Sequence, residues 1–422
     1  MTAAIIICYL LTSAAAYALR LLNLQFLKRH GTTVPAALAG AISPETLDRT
    51  VAYTVDSSRF GLIESLFDDI LLLLFLFGGI LPVFDHWVLT NAGGSFVVAG
   101  LAFFLPLTLV QAVLSIPFDL YETFRLESRY GFNTTTMRLW FADLLKSTGL
   151  SLVISALLLS GAFALVKASP QRWWLWVWLF FALVTVVMMY LAPYVIEPLF
   201  NKFEPVSEEG LEEEIKSLAE RAGLRVSRVM QVDASRRSRH SNAYFTGIGR
   251  VKRIVLYDTL LQQMTHREIL AVLAHEIGHW KKGHIRNRLL LTEVGALAVS
   301  YLVWRLIDWG GLPGLIGLPG GSFAAQLVIL GFLGAIVSFP ITPLSSWLSR
   351  RHEWQADRFA TELSGDPEAL ASALVKLSKE NLANLHPHPL YAAFYYSHPP
   401  VVERITALRL AAARRNPPVP QR

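Results

Sequence analysis

Cysteine is almost absent from this sequence. The one that is present, Cys8, lies inside an apolar segment near the N-terminus. A single cysteine excludes a disulfide within the chain, and it argues against a thiolate metal site, which uses several cysteines. Any metal that this chain binds must therefore be held by histidine and carboxylate side chains.

Charged residues are also scarce. They make up 17% of the 422 residues, whereas hydrophobic residues make up 53%. This composition is typical of proteins whose solvent is the lipid bilayer. A helix needs about 20 mostly apolar residues to cross the hydrocarbon core. Seven segments meet that requirement and are predicted to span the membrane: residues 3–19, 61–84, 95–116, 142–166, 173–195, 289–309 and 323–348.

The basic residues indicate how these spans are oriented. The chain has a formal net charge of +6, but its lysines and arginines are spread over several loops. No nucleic-acid-binding motif accompanies them, so we expect no nucleic-acid partner. Four of the loops that carry them lie on one face of the membrane, and only the turn with Lys167 and Arg172 dissents. Because cytoplasmic loops are rich in lysine and arginine, the N-terminus is predicted outside and the C-terminus in the cytoplasm.

Two polar regions divide the chain into four parts. The first polar region follows the fifth span, and the second follows the seventh. The parts are five spans with their loops, a soluble region, two further spans and a C-terminal soluble region: residues 1–200, 201–288, 289–349 and 350–422. The sequence therefore predicts a mainly α, polytopic membrane protein with a small α+β soluble element.

Local signals place the elements of the first soluble region. An acidic helix is predicted over residues 208–221, with Gly223 just beyond its end. Thr265 and Glu268 have the spacing of a capping box, so a long helix should begin there. Between these helices, three short segments predict a small antiparallel sheet: residues 228–233, 242–247 and 252–257.

The second predicted helix leads into the sequence HEIGH, which holds His275, Glu276 and His279. Histidines four residues apart lie on one helical face, where both rings can bind the same ion. Catalytic zinc takes three protein ligands and leaves a position for water, so a third donor must come from elsewhere. Glu276, which is not a ligand, can then act as the base that takes a proton from that water.

The third donor is predicted in the segment RRHEWQAD, directly after the seventh span. Glu353 supplies the carboxylate, and Asp357, four residues later, can accept a hydrogen bond from a ligand histidine. His284 and His352 are competing ligands. On a continuous helix the first lies off the metal face, where it should be exposed to solvent, and the second points elsewhere. Two imidazoles and a carboxylate favour zinc, with one ion per chain.

These residues resemble the type I CAAX prenyl endopeptidases, which are integral-membrane zinc proteases. The resemblance implies seven membrane helices that enclose a large water-filled chamber, with the protease region on the cytosolic side. The polar residues inside the predicted spans fit such a chamber. Besides HEIGH and HEWQAD, the shared segments cover most of the chain: PFDLYETFRLESRYGFNTTT (117–136), IEPLFNKFEPV (196–206), SNAYFTG (241–247) and SHPPVVERI (397–405).

The resemblance also implies roles that the residues alone leave open. Asn242, Ala243 and Tyr244 correspond to an edge strand that pairs with an extended substrate. By themselves they are more typical of a capped turn and a core tyrosine. His398 corresponds to a residue near the zinc that can stabilise an oxyanion, and Arg404 to one that orients Glu353 or His398. Without the resemblance, His398 is typical of a turn before proline and Arg404 of a solvated helix.

The predicted activity is peptide-bond hydrolysis by a membrane-embedded zinc endopeptidase, which in this family removes the C-terminal tripeptide from prenylated proteins. One alternative is a membrane quality-control protease whose substrates carry no prenyl group. Another is a transporter-like protein with a structural zinc, which is disfavoured because structural sites are usually closed sets of four ligands. The expected partners are a peptide or prenylated-protein substrate and the lipid bilayer, and the sequence makes no prediction of oligomeric state.

Overall fold

A computed structural model describes residues 1–246 and 251–415. The first half of the chain is a series of long helices, two of which continue through a π-helical turn. In chain order the helices are α1 (Thr2–His30), α2 (Pro44–Phe77), α3 (Ile80–Asn91), α4 (Phe96–Tyr121), α5 (Ser128–Tyr130), α6 (Met137–Ala168), α7 (Trp173–Leu191) and α8 (Glu197–Phe200). The π-helical turns join α4 to α5 and α7 to α8.

A small sheet and the helix with HEIGH follow. The sheet has the strand order β1-β2-β4-β3, so β3 lies at one edge. Helix α9 packs beside β2, and α10 leads from the last strand into α11. The elements are β1 (Phe203–Pro205), α9 (Leu211–Arg221), β2 (Arg225–Val232), β3 (Ala243–Thr246), β4 (Val251–Tyr257), α10 (Asp258–Gln263) and α11 (His266–Lys281).

The sheet is mixed, and the prediction of an antiparallel sheet is wrong for its central pair. Strand β2 is parallel to β4, whereas β1 pairs with β2 and β3 with β4 in antiparallel fashion. The chain reverses before and after β3, so β4 returns in the direction of β2 and fits between β2 and β3. The continuous apolar run Ile254 to Leu256 is fully buried, as is typical of a central parallel strand. Gly247, the last residue of one predicted strand, lies outside the described residues.

The last part of the chain contains two more membrane helices and a helical C-terminal region. A 3₁₀ turn at Phe339–Ile341 joins α14 to α15, so the second of these helices extends beyond the membrane. The helices are α12 (His284–Trp309), α13 (Leu312–Leu315), α14 (Phe323–Ser338), α15 (Thr342–Ser364), α16 (Pro367–Glu380), α17 (Pro389–Tyr395) and α18 (Val401–Arg415).

The number of predicted spans is confirmed. Six helices of the described chain are long and apolar enough to cross a membrane, and the bent pair α2 and α3 makes seven if it counts as one span. The predicted span 61–84 is therefore wrong in one respect, because the helix breaks at Gly78 and Gly79 and bends by 59°. Gly79 adopts the left-handed conformation at φ 84°, which favours glycine. Large apolar side chains such as Leu157 (68% exposed) and Val294 (65%) suit contact with lipid.

Two acidic residues within the spans have protein partners. Asp69 in α2 accepts hydrogen bonds from the hydroxyls of Tyr9 and Tyr17 in α1. Asp143 in α6 forms an ion pair with Arg237, 2.8 Å away, which lies between β2 and β3. An ionised group in lipid is costly unless it is paired. These contacts supply the partners, and they join α1 to α2 and α6 to the region of the sheet. The chamber that the resemblance implies stays a prediction.

The start of α11 is fixed by a buried carboxylate. Glu268 accepts a hydrogen bond from the backbone N–H of Thr265, as the predicted capping box requires, and this box is confirmed. The same carboxylate also binds Ser372 and Lys376 of α16, each at 2.6 Å. Burial opposes its charge, but the bonds from Lys376 and Ser372 lower the pKa of Glu268 below its ordinary value. A single side chain thus caps α11 and holds α16 against it.

We expect Glu268→Gln to destabilise the protein. Glutamine keeps the shape but loses the charge that binds Lys376, and because Lys376 is 37% exposed the loss is about 1–2 kcal/mol near neutral pH. A lowered pKa stabilises the fold above the ordinary value of 4.5, and this contribution is lost as pH falls through the lowered value. The gap between wild type and variant should therefore close in acid, as measured by thermal unfolding in detergent.

Arg267→Gln is the matched control, because Arg267 is the neighbouring residue and forms an ion pair with Asp366 while being 77% exposed. Exposed pairs contribute little. Equal unfolding temperatures for Glu268→Gln and Arg267→Gln would contradict this account of the buried carboxylate.

Candidate metal centre and active site

Helices α11 and α15 cross at close range, which brings HEIGH to the segment HEWQAD. The contact is made at Gly278 of α11, where an added Cβ would lie 3.0 Å from Ala356 Cα and 3.1 Å from Ala356 O. Because the backbone of α15 cannot move aside as a side chain could, any larger residue at 278 would separate the helices. Glycine at this point lets the side chains on either side of the crossing meet.

His275, His279 and Glu353 meet at this crossing. The two Nε2 atoms lie 3.2 Å apart, Glu353 Oε2 is 3.3 Å from His275 Nε2, and Glu353 Oε1 is 3.2 Å from His279 Nε2. One ligand atom from each of the three side chains lies within 4.8 Å of the others. His275 and Glu353 are buried, at 6% and 3% exposure. The structure thus brings the three predicted ligands together.

These three side chains fit a metal ion. His275 Nδ1 lies 2.8 Å from Asp357 Oδ1 and donates to it, so Nε2, which faces His279 Nε2 and Glu353, is the nitrogen left for an ion. Glu353 Oε2 is buried, and the nitrogens nearest to it belong to side chains of the same cluster: His398 Nδ1 at 2.8 Å and His275 Nε2 at 3.3 Å. Two imidazole nitrogens and a carboxylate that converge at one buried point are suited to hold a cation between them.

A buried ion pair fixes the orientation of His275. Arg404 of α18 donates from Nε and Nη2 to the two oxygens of Asp357, at 2.8 and 2.6 Å. Burial opposes the imidazolium form, but the hydrogen bonds to Asp357 and Glu353 raise the pKa of His275 to about 9. Arg404 and Asp357, both predicted to support the ligands, therefore lie directly behind His275. Arg404 Nη1 also comes within 3.5 Å of Glu353 Oε2.

Glu276 has the free carboxylate that a base needs. It is half-buried next to the ligand His275 and forms no hydrogen bond or ion pair with any part of the chain that the structure describes. A carboxylate without a fixed partner can accept and return a proton.

His398 lies at the open side of the cluster. It precedes α18, its side chain is 62% exposed, and its Nδ1 is 2.8 Å from Glu353 Oε2. The turn prediction agrees with its position, since it lies in the loop before Pro399, and its ring lies beside the predicted ligand Glu353. Because its Nε2 has no hydrogen-bond partner in the described chain, the ring can donate from this nitrogen to a group that enters from outside.

Asn242, Ala243 and Tyr244 lie at the edge of the sheet. Ala243 and Tyr244 belong to β3, which pairs with β4 on one side and with no strand of the described residues on the other. The Asn242 side chain accepts a hydrogen bond from the N–H of Ala243. Tyr244 donates its hydroxyl to Glu197 at 2.9 Å; burial and this bond raise the pKa of the phenol. The strand edge is therefore open while the tyrosine is held.

Sequence reasoning missed two residues, His284 and Gln355. His284 is only 5% exposed, and its Nδ1 lies 3.1 Å from His279 Nδ1. The expectation of a solvent-exposed His284 is wrong, because it assumed that the helix with HEIGH continues to that residue. Helix α11 ends at Lys281, and Gly283, at φ 70°, redirects the chain. That glycine in the sequence HWKKGH was the available signal.

Known proteins resemble this chain over most of its length. The family described as CAAX prenyl protease N-terminal, five membrane helices, matches residues 23–202, and peptidase family M48 matches residues 205–412. The CAAX prenyl protease 1 homolog of Arabidopsis thaliana is 35% identical over 89% of this chain and 90% of its own. CAAX prenyl protease 1 of Saccharomyces cerevisiae is 33% identical over 91% of this chain and 90% of its own.

A solved structure agrees with these sequence matches. The crystal structure of S. mikatae Ste24p superposes with a TM-score of 0.83 at 31% identity, covering 95% of this chain and 98% of that one. The ligand cluster described above lies within the residues that the M48 family matches. The chain belongs to the CAAX prenyl protease 1 family of M48 peptidases, and it is a multi-pass membrane metalloendopeptidase.

Proposed function

We propose that the chain is a zinc endopeptidase that removes the C-terminal tripeptide from prenylated CAAX proteins. The observation that carries this proposal is the cluster of His275, His279 and Glu353 with the unpaired Glu276 beside it. Two imidazoles and one carboxylate form the donor set of catalytic zinc sites that keep one position open. The relatives named CAAX prenyl protease 1 support the substrate class.

The side chains have separate roles in hydrolysis. His275, His279 and Glu353 would hold the zinc, which would supply a Lewis acid for the scissile carbonyl and for the attacking water. Glu276 takes the proton from the attacking water and returns it to the departing amine. His398 donates a hydrogen bond to the oxygen on which negative charge develops. Arg404 and Asp357 touch no substrate; they hold His275 with its Nε2 toward the cluster.

Variants of these residues should separate chemistry from metal binding. Glu276→Gln should lower kcat for a farnesylated CAAX peptide by about 100-fold or more, because the base is lost while the ligands remain. His398→Ala should lower kcat by about 100-fold for loss of an oxyanion donor. Both should keep about one zinc per chain, as measured by elemental analysis. Asp357→Ala should weaken zinc binding by about 10–100-fold, because it removes the acceptor that orients His275.

Glu362→Gln is the matched control, since Glu362 is exposed on the same helix as Glu353 and Asp357. Loss of zinc from Glu276→Gln, or full activity in that variant, would overturn the assignment of the base. An unprenylated twin of the peptide tests the substrate class. If wild type cuts both peptides equally well, the quality-control function is favoured over the CAAX function.

We also propose that β3 binds the substrate as an added strand. This proposal is supported by the open edge of β3 in the sheet. Asn242 directly precedes this strand, and Ala243 and Tyr244 are its first two residues. Extended peptides add to such edges through main-chain hydrogen bonds, which alternate along the strand. The role of Tyr244 is then to hold β3 in place through Glu197.

N-methylation of single amides along the peptide substrate should test this pairing. Because only alternate residues of an added strand point their N–H toward β3, KM should rise at every second position and change little between them. Steady-state kinetics on the methylated series measures this pattern. A uniform effect along the peptide would exclude strand addition.

We propose that the N-terminus lies outside and the protease region and C-terminus lie in the cytoplasm. The lysine and arginine distribution supports this orientation. On a Cys8→Ser background, Gly320→Cys should react with a membrane-impermeant maleimide in spheroplasts of an expressing bacterium. Glu380→Cys should react only after the membrane is permeabilised. Both positions are exposed, so accessibility alone does not separate them. The reverse pattern would invert the proposed topology.

A further inference from the structure

A chain of hydrogen bonds leads away from the second histidine of the cluster. His279 Nε2 faces the other ligands, and its other ring nitrogen, Nδ1, lies 3.1 Å from His284 Nδ1. His284 Nε2 in turn lies 2.8 Å from the Oε1 atom of Gln355. Asp357 and Arg404 support His275, but neither contacts His279 in the described chain. The second ligand therefore has a support of its own.

The surroundings of His284 fix the position of its ring. The residue is 5% exposed, and its ring stacks on His352 at a centroid distance of 4.1 Å and an interplanar angle of 10°. It is the first residue of α12, directly after Gly283, whose left-handed conformation turns the chain back toward α11. A ring held by stacking on one face and by hydrogen bonds at both nitrogens has one orientation.

The order of donors along this chain follows from the metal, and so the inference rests on the proposed zinc function. A histidine that binds zinc through Nε2 carries its proton on Nδ1, so His279 Nδ1 donates to His284 Nδ1. His284 then carries its own proton on Nε2 and donates it to the Gln355 carbonyl oxygen. An amide oxygen can only accept, and this fixes the direction of both bonds.

We propose that His284 and Gln355 are positioning residues that hold His279 in the zinc-binding tautomer. Ligand histidines in zinc sites usually donate to a carboxylate or a carbonyl. Here a neutral histidine takes that place, and Gln355 supplies the acceptor that sets its tautomer. Helix α15 thus contributes three residues to the site. Glu353 is a ligand, Gln355 supports His279 through His284, and Asp357 supports His275.

The test compares His284→Phe with His284→Asn. Phenylalanine keeps a ring to stack on His352 but has no acceptor, so zinc affinity, measured by competition with a chromophoric chelator, should fall by about 10–100-fold. Asparagine places its Oδ1 near the position of the lost Nδ1, so it should restore affinity to within a few fold of wild type. Gln355→Leu should give an intermediate loss, because His284 then has no acceptor to fix its tautomer.

His352→Phe is the matched control, because the new phenylalanine can still stack on His284. His352 itself makes no hydrogen bond to His279 or His284 in the described chain, so the zinc affinity of this variant should be unchanged. Cobalt-substituted protein adds a spectroscopic measure: the visible absorption bands should shift in His284→Phe and not in His352→Phe. Thermal unfolding of the metal-free proteins identifies any variant that does not fold, and the His284→Asn and Gln355→Leu results then decide.

Wild-type zinc affinity in His284→Phe, or equal losses in His284→Phe and His284→Asn, would overturn the proposal. Failure of the proposed function looks different, since zinc affinity is measured without peptide. Wild-type protein that binds zinc but cleaves neither CAAX peptide would contradict the substrate assignment and leave the role of His284 to be decided by the zinc measurements alone.

Discussion

The close crossing of α11 and α15 at Gly278 is the contact on which the rest of the site depends. His275 and His279 lie on one helix and Glu353 on the other, and their side chains can meet only if the two backbones nearly touch. The buried cores of the two soluble regions are continuous around this contact, since residues of α9, α11, α16 and α18 form one cluster. The glycine of HEIGH is therefore as necessary to the geometry as its histidines.

The charges around the crossing then determine which ion the site can bind. Glu353, Asp357 and Glu276 bring three negative charges to a poorly solvated place, and Arg404 returns one positive charge. The remainder of two negative charges is what a divalent cation neutralises. Without a cation, His275 responds by a raised pKa, because its proton is the nearest available positive charge. Metal and proton thus compete for the same place, so metal binding should release protons.

The sequence predicted best those features whose cause is local. The spacing of His275 and His279 and the capping box at Thr265 depend only on helical geometry. The choice of Glu353 rested on its place directly after the seventh span and on Asp357 four residues later. Features that depend on the path of the chain were missed. The apolar run in β4 does not indicate that β2 lies parallel beside it. The break of the second span at Gly79 is visible only in the backbone conformation. The position of His284 was missed for the same reason. Its predicted direction assumed that the helix with HEIGH continues, whereas Gly283 turns the chain before His284.

The ligand helices also connect the site to the membrane. Helix α12 begins at His284, one hydrogen bond from His279, and α15 continues from α14 through a short turn before it reaches Glu353. Two spans therefore end within a few residues of the metal ligands, and the site lies where the bilayer meets the cytosolic side in the proposed topology. A prenylated C-terminus is held in the bilayer by its lipid, since burial of each methylene contributes about 0.8 kcal/mol. A site fixed at the ends of membrane helices can act on such a substrate while the lipid stays in the membrane. A soluble protease would first have to extract the lipid.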